Sequence, residues 1–122
     1  KINTPSLVII DGIADLVSDV NSLEESNAVV QKLMEWSAKF NCHIINVIHH
    51  NYGTSKMTGH LGSFLEKKCE THIELEANTV NKEWVTVKCK RSRGYAFDNF
   101  SFEVNELGLP CIVDNLYDPL KI

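Results

Sequence analysis

The 122-residue sequence lacks several patterns that mark broad classes of protein. No run approaches the roughly 20 apolar residues of a membrane-spanning helix, so we expect no membrane partner. No C-x-x-C pair occurs, and neither a zinc ribbon nor a redox motif is therefore indicated. The net charge of −4 argues against a surface that binds nucleic acid over its whole extent, although a local basic loop is compatible with it.

The composition suits one folded domain over residues 1–122, because 43% hydrophobic residues can furnish a core. The cysteines are widely spaced, and we expect buried free thiols in a reducing, cytoplasmic compartment. They are Cys42, Cys69, Cys89 and Cys111. The chain opens with Lys1 and without a signal peptide, and we interpret it as a piece of something longer.

A strand over residues 6–11 is the most informative local pattern. Its continuous apolar run ends abruptly in Asp11, and apolar runs without polar alternation are typical of parallel strands that are covered on both faces. Ligands of such sheets bind beyond the carboxyl ends of the strands, which favours a functional Asp11. The alternative is that Asp11 only caps the segment that follows.

The next elements predict an α/β fold. Residues 23–40 have apolar positions near helical spacing, with Ser22 or Asn21 as the cap. Residues 43–48 are a second short apolar run, which we expect to lie parallel to the first strand after a right-handed crossover. His49 and His50 follow directly.

The second half predicts an antiparallel meander. Residues 52–62 contain glycines and no apolar periodicity, which indicates a long loop. A short helix is expected over 63–69. Alternating residues predict strands at 71–77 and 83–91, and a third at 99–105. We expect the meander to be attached to the edge of the parallel sheet.

This order of elements resembles the second half of a RecA-like P-loop ATPase core: an aliphatic strand ending in an acid, a crossover helix, a strand ending in polar residues, a glycine-containing loop and a basic hairpin. Within that superfamily it is similar to the hexameric replicative helicases of the RepA and DnaB kind, including those of plasmids and mobilizable elements. The resemblance implies a partial RecA-like fold and a DNA-dependent ATPase motor. It also implies ATP and Mg²⁺ as cofactors, single-stranded DNA as a partner, and a homo-oligomeric ring or dimer.

The resemblance gives roles to the two strand ends. Asp11 resembles the Walker B acid, which binds Mg²⁺ through water, and carboxylates are ligands that Mg²⁺ prefers. His49 and His50 resemble the end of the sensor strand, where polar side chains detect the γ-phosphate. The alternative is a pair of histidines that only face solvent. Because successive strand residues point to opposite faces, at most one of the two should reach a phosphate.

The loop and the basic strand end resemble contact elements of the same motors. Residues that could supply charge and stacking to single-stranded DNA are Tyr52, Lys56 and His60; a plain solvated loop is the alternative. Lys90, Arg91 and Arg93 resemble the strand end that reaches a neighbouring subunit's nucleotide, with Lys90 as a nucleotide contact and either arginine as the finger. DNA contact and plain surface charge are the competing interpretations.

One departure from the family pattern bears on activity, because no G-x-x-x-x-G-K-[ST] occurs in the chain. Residues 53–59 contain similar residue types in the wrong order, and we reject them as a phosphate loop. In the family this loop precedes the Walker B strand, so truncation would explain its absence. We therefore expect the parent protein to hydrolyse ATP, and this piece alone to be inactive and to bind no cofactor tightly.

Two other functions compete with this one. A metal-dependent hydrolase would use Asp11, Asp15, His49 and His50 as a divalent-metal cluster, since neighbouring strand ends can bring Asp and His together. A non-catalytic assembly or DNA-binding module would keep a degenerate ATPase fold without hydrolysis.

Overall fold

The computed structural model describes residues 3–51 and 57–113. Its elements in chain order are β1 (Leu7–Asp11), a 3₁₀ helix (Ile13–Leu16), α1 (Leu23–Lys39), β2 (His43–Val47), α2 (Gly59–Lys68), β3 (Thr71–Ala77), β4 (Trp84–Ser92), β5 (Phe100–Val104) and β6 (Pro110–Val113). This mixture of helices and strands confirms the broad α/β prediction. The chain divides into two compact units, Lys1–Cys69 and Glu70–Ile122, and the prediction of a single domain stays a prediction.

Helix α1 begins where its cap predicts. The Ser22 hydroxyl accepts a hydrogen bond from the backbone N–H of Glu25 at 3.2 Å, which satisfies one of the donors left free at a helix N-terminus. Ser26, Val30 and Leu33 are buried along one face, at the spacing of four and three residues that places side chains on the same side of a helix.

Strands β1 and β2 pair in parallel, with Leu7 opposite His43 and Asp11 opposite Val47, as the sequence predicts. One face of this pair packs against the core of the first unit. That core contains Ile13, Val30, Leu33, Leu61 and Leu65, with Ile10, Ile44 and Ile48 among the partly buried residues packed on it.

The other face of the β1–β2 pair is open among the described residues. Leu7 and Ile9 are 51% and 62% exposed, and Ile45 and Val47 are exposed as well. The prediction that both faces are covered is therefore wrong for the part of the chain that the structure describes. Both α1 and α2 pack their buried residues against the same cluster, which leaves the second face without a layer.

Helix α2 begins at Gly59, four residues before the predicted start, and ends at Lys68. The glycines that suggested a loop are required by close packing. A Cβ at Gly62 would lie 2.5 Å from the Met57 Cβ, and a Cβ at Gly59 would lie 2.6 Å from the Val20 carbonyl oxygen. Gly59 also has a φ of +65°, a left-handed conformation that side chains disfavour.

The second unit is an antiparallel sheet in the order β3-β4-β5-β6. The three predicted strands of the meander are confirmed, and β6 was not predicted. It is reached by a turn in which the Asn105 side chain accepts hydrogen bonds from the N–H groups of Leu107 and Leu109. The described strands form two sheets, β1-β2 and β3-β4-β5-β6, and the attachment of the meander to the parallel sheet stays a prediction.

The four cysteines, all among the described residues, carry thiols and form no disulfide, as predicted. Only Cys42 is buried, whereas Cys69 and Cys89 are half-buried and Cys111 is exposed, so the prediction of burial holds for one of them. Within residues 3–51 and 57–113, no helix combines the length and the apolar character that crossing a membrane would require.

Candidate functional site

The carboxyl ends of β1 and β2 lie at one edge of the parallel pair, because Asp11 is the register partner of Val47. Ile10 and Ile48 both pack against the core. The residue after each of them is exposed, and these residues are Asp11 and His49. Asp11 is the last residue of β1 and His49 follows β2 by two residues, so both exposed residues belong to the carboxyl-end edge of the pair.

The Asp11 carboxylate is available for a ligand. It is exposed, and among the described residues no hydrogen bond or ion pair engages it. The interpretation of Asp11 as a cap is wrong, since the N-cap of the 3₁₀ helix is Gly12 and no side chain makes a capping bond there. A Cβ at Gly12 would lie 3.3 Å from the Val47 carbonyl oxygen, so the two strand ends approach closely.

The two histidines after β2 have different surroundings, as the alternation of faces predicts. His49 is exposed and His50 is half-buried. The His49 carbonyl accepts two hydrogen bonds from Thr58, one from the hydroxyl at 2.8 Å and one from the backbone N–H at 3.3 Å. His50 forms an antiparallel bridge with Met57. The segments on either side of residues 52–56 are thus held together.

A cavity of about 340 Å³ lies beside the start of α2. Its lining residues are Asn21, Asn51, Met57, Gly59, His60, Gly62, Ser63 and Glu66. Of the three predicted DNA contacts, His60 is exposed and lines this cavity, whereas Tyr52 and Lys56 lie outside the described residues. The sequence predicts a role for Asn21 only as a helix cap and none for Ser63, because no spacing motif connects the turn before α1 to the first turn of α2.

The basic strand end carries two lysines that are paired with acids on the neighbouring strand. Lys90 Nζ lies 3.1 Å from Glu74 Oε2, and Lys88 pairs with Glu76. The Glu74 side chain is only 4% exposed. Lys90 is therefore committed to a structural ion pair in this conformation, which makes it a poorer candidate for a nucleotide contact than the sequence suggested.

A β-bulge sets the direction of Arg91. His72 is opposite Arg91 and Ile73 is opposite Cys89, so Lys90 is the additional residue on β4. Bulges of this kind turn the side chains beyond them. Arg91 shares the face of His72, its register partner, whereas unbroken alternation would have placed it with Cys89.

Arg91 and Arg93 are both exposed. The backbone N–H of Arg93 donates a hydrogen bond to the Glu70 carbonyl, so the chain beyond the bulge is tied to the residue that precedes β3. The choice between the two arginines as the finger stays a prediction.

The hydrolase alternative receives no support from side-chain placement. Among the residues described, no group of three or more His, Cys, Asp or Glu side chains could hold a metal ion. Asp11, Asp15, His49 and His50 are therefore not assembled into the divalent-metal cluster that this alternative requires.

Comparison with known proteins assigns no family to the chain. No protein-family model matches it, and no curated protein matches it either. The RecA-like resemblance is therefore a prediction, and the function has to be argued from the strand ends themselves.

Proposed function

We propose that this chain is part of a RecA-like, DNA-dependent ATPase motor that acts in the replication or mobilization of DNA. The observation that carries the proposal is that Asp11 and His49 are both exposed at the carboxyl ends of two parallel strands. This is where ligands bind in open α/β sheets. The proposed setting is cytoplasmic, and the proposed partners are single-stranded DNA and further copies of the chain.

Asp11 fits the role of an acid that holds Mg²⁺ through water. Its carboxylate is exposed and has no partner among the described residues, and hard oxygen ligands suit this ion. Mg²⁺ would supply charge neutralisation for phosphoryl transfer. No glycine-rich phosphate loop occurs in the sequence, so its strand ends would hold the metal and sense the γ-phosphate without a loop that cradles the phosphates.

His49 is the better candidate for the phosphate sensor of the two histidines. It is exposed beyond the carboxyl end of β2, whereas His50 is half-buried and bridged to Met57. An imidazole N–H can donate a hydrogen bond to a phosphate oxygen. In an oligomer, Arg91 or Arg93 would approach the nucleotide of a neighbouring copy, where a cation offsets the charge that develops during transfer.

The proposal is tested with the longest natural translation product that contains this sequence. ATP hydrolysis is measured with and without single-stranded DNA for the wild type, Asp11→Asn and the control Asp98→Asn, which replaces an exposed acid of the second unit. We expect DNA-stimulated hydrolysis in the wild type and the control, and a loss of at least about 100-fold in Asp11→Asn. A wild type without hydrolysis, or an active Asp11→Asn, would overturn the proposal.

The assembly module is the second candidate, and an exposed apolar surface on the second unit favours it. Ile73, Leu75, Val104 and Ile112 are between 52% and 77% exposed, and exposed apolar patches mark interaction sites. This candidate predicts self-association or DNA binding by a wild type that hydrolyses no ATP, so the same assay separates it from the motor.

A further inference from the structure

Thr58 stands at the N-cap of α2, yet its side chain makes no capping hydrogen bond. Threonine at this position ordinarily accepts a hydrogen bond from a backbone N–H of the first turn. Here the hydroxyl instead donates to the His49 carbonyl at 2.8 Å, and the Thr58 backbone N–H donates to the same oxygen at 3.3 Å. The residue best suited to cap the helix therefore holds the end of β2.

The helix that carries Thr58 is itself fixed to the first unit. The Leu61 backbone N–H donates to the Val20 carbonyl at 3.0 Å, and Leu61 is fully buried. Gly62 lies against Met57, where no larger residue fits. Thr58 is thus a rigid point from which the backbone at His49 can be positioned.

The bonds from Thr58 matter because His49 lies beyond the last residue of β2, which is Val47. The β1–β2 register ends at Val47, and the backbone beyond it is held by the antiparallel bridge between His50 and Met57. The Thr58 N–H bond to the His49 carbonyl fits this bridge, and the Thr58 hydroxyl adds a second bond to the same oxygen. The His49 side chain is left exposed, as Asp11 is at the end of β1.

We propose that Thr58 is a positioning residue that holds His49 in the orientation in which its imidazole meets a phosphate oxygen. The inference rests on the proposed function, since it assumes that a phosphate group binds at the edge shared by Asp11 and His49. The hydroxyl acts through the His49 backbone and does not itself touch the phosphate.

The first measurement uses this chain and inorganic phosphate. NMR signals of the His49 ring are followed during phosphate titration at constant ionic strength, with chloride as the control anion. We expect a saturable shift in the wild type and in Thr58→Ser, which keeps the hydroxyl, and an affinity lower by about tenfold in Thr58→Val. The control Thr79→Val, in the exposed turn after β3, should behave as the wild type. A wild-type His49 ring that does not respond, or a Thr58→Val that responds as the wild type does, would overturn the inference.

The second measurement uses ATP hydrolysis by the longer product. Thr58→Val should lower kcat by about tenfold with little change in KM, and Thr58→Ser should restore it. In a His49→Ala background, Thr58→Val should lower kcat no further, because the two residues act as one unit. If Thr58→Val lowers kcat equally in the wild-type and His49→Ala backgrounds, the role of Thr58 is merely structural. A wild type that hydrolyses no ATP but shows a Thr58-dependent phosphate response would overturn the proposed function alone. A wild type that hydrolyses ATP but whose phosphate response does not depend on Thr58 would overturn this inference alone.

Discussion

Lys90 lies 3.1 Å from the carboxylate of Glu74, whose side chain is 4% exposed, across the first two strands of the antiparallel sheet. Glu74 is thus buried with a cation from the basic strand end as a direct partner. We expect Lys90→Met to destabilise the fold, because the substitution removes a charge that faces a buried carboxylate. The Lys90 side chain is 41% exposed, so solvent screens the pair, and the expected loss is about 1–2 kcal/mol.

Urea unfolding measures this loss, with Lys82→Met as the control, since Lys82 is exposed in the preceding turn. The double variant Lys90→Met/Glu74→Gln should recover part of the stability, because no carboxylate is then left buried without Lys90. If Lys90→Met is as stable as the control, the ion pair has no structural role, and Lys90 becomes available again as a nucleotide contact.

Gly62 should not tolerate a methyl group even though it lies within a helix. Replacing glycine by alanine at an exposed helical position usually raises stability by about 1 kcal/mol. A Cβ at Gly62 would lie 2.5 Å from the Met57 Cβ and 2.7 Å from the Met57 carbonyl carbon. We therefore expect Gly62→Ala to destabilise by about 1–3 kcal/mol, the usual cost of overpacking.

Gly108→Ala is the comparison for this prediction. No atom lies within 4 Å of a Cβ at Gly108, but its φ is +77°. Gly108→Ala should therefore lower the free energy of unfolding through backbone conformation alone, by about 1 kcal/mol. A stabilising Gly62→Ala in thermal or urea unfolding would contradict the close packing of α2 on Met57.

The sequence predicts those elements whose causes are local. Helix α1 carries its own cap at Ser22 and its own apolar face, and both are visible within one segment. Helix α2 is different, because its start depends on a carbonyl at Val20 and on Met57. The glycines that permit this packing look like loop residues in the sequence, so the sequence predicts a start for α2 that is four residues too late.

The candidate site shows the same limit. Asp11 and His49 were identified because each follows an apolar run, and the parallel pairing of β1 with β2 then brings the two strand ends to one edge. Thr58 could not be found in this way. Its partner lies nine residues earlier in the chain, and no spacing rule makes a threonine hydroxyl prefer that carbonyl over a helix N–H.

The core of the first unit should depend on Leu33 far more than on its neighbour. Leu33 is 7% exposed and belongs to the central cluster, whereas Met34 is 45% exposed on the same helix. Leu33→Ala should cost about 2–5 kcal/mol, because it removes buried methyl groups and leaves a cavity. Met34→Ala should stay within about 1 kcal/mol by urea unfolding. Similar losses in both variants would mean that α1 packs with a different face.

The turn before α1 should make stability depend on pH through Glu25. Its carboxylate accepts hydrogen bonds from the Ser18 hydroxyl at 2.8 Å, the Ser18 backbone N–H at 3.2 Å and the Asp19 backbone N–H at 3.0 Å. In that order of importance these bonds hold the pKa of Glu25 below its ordinary value of 4.5. Hydrogen bonds to the charged form of an acid act in this direction.

A lowered pKa in the folded state means that the unfolded chain takes up the proton first. The contribution of the Glu25 carboxylate to the free energy of unfolding should therefore be complete above pH 4.5. It should be lost as the pH falls through the lowered pKa of Glu25 in the folded state. Unfolding free energies of the wild type and Glu25→Gln, measured by urea from about pH 7 to about pH 3, should differ at the upper end and converge at the lower. Ser18→Ala should raise the Glu25 pKa in an NMR titration, since it removes the strongest of the three bonds. A difference that is constant with pH would show that the carboxylate charge has no part in holding the turn.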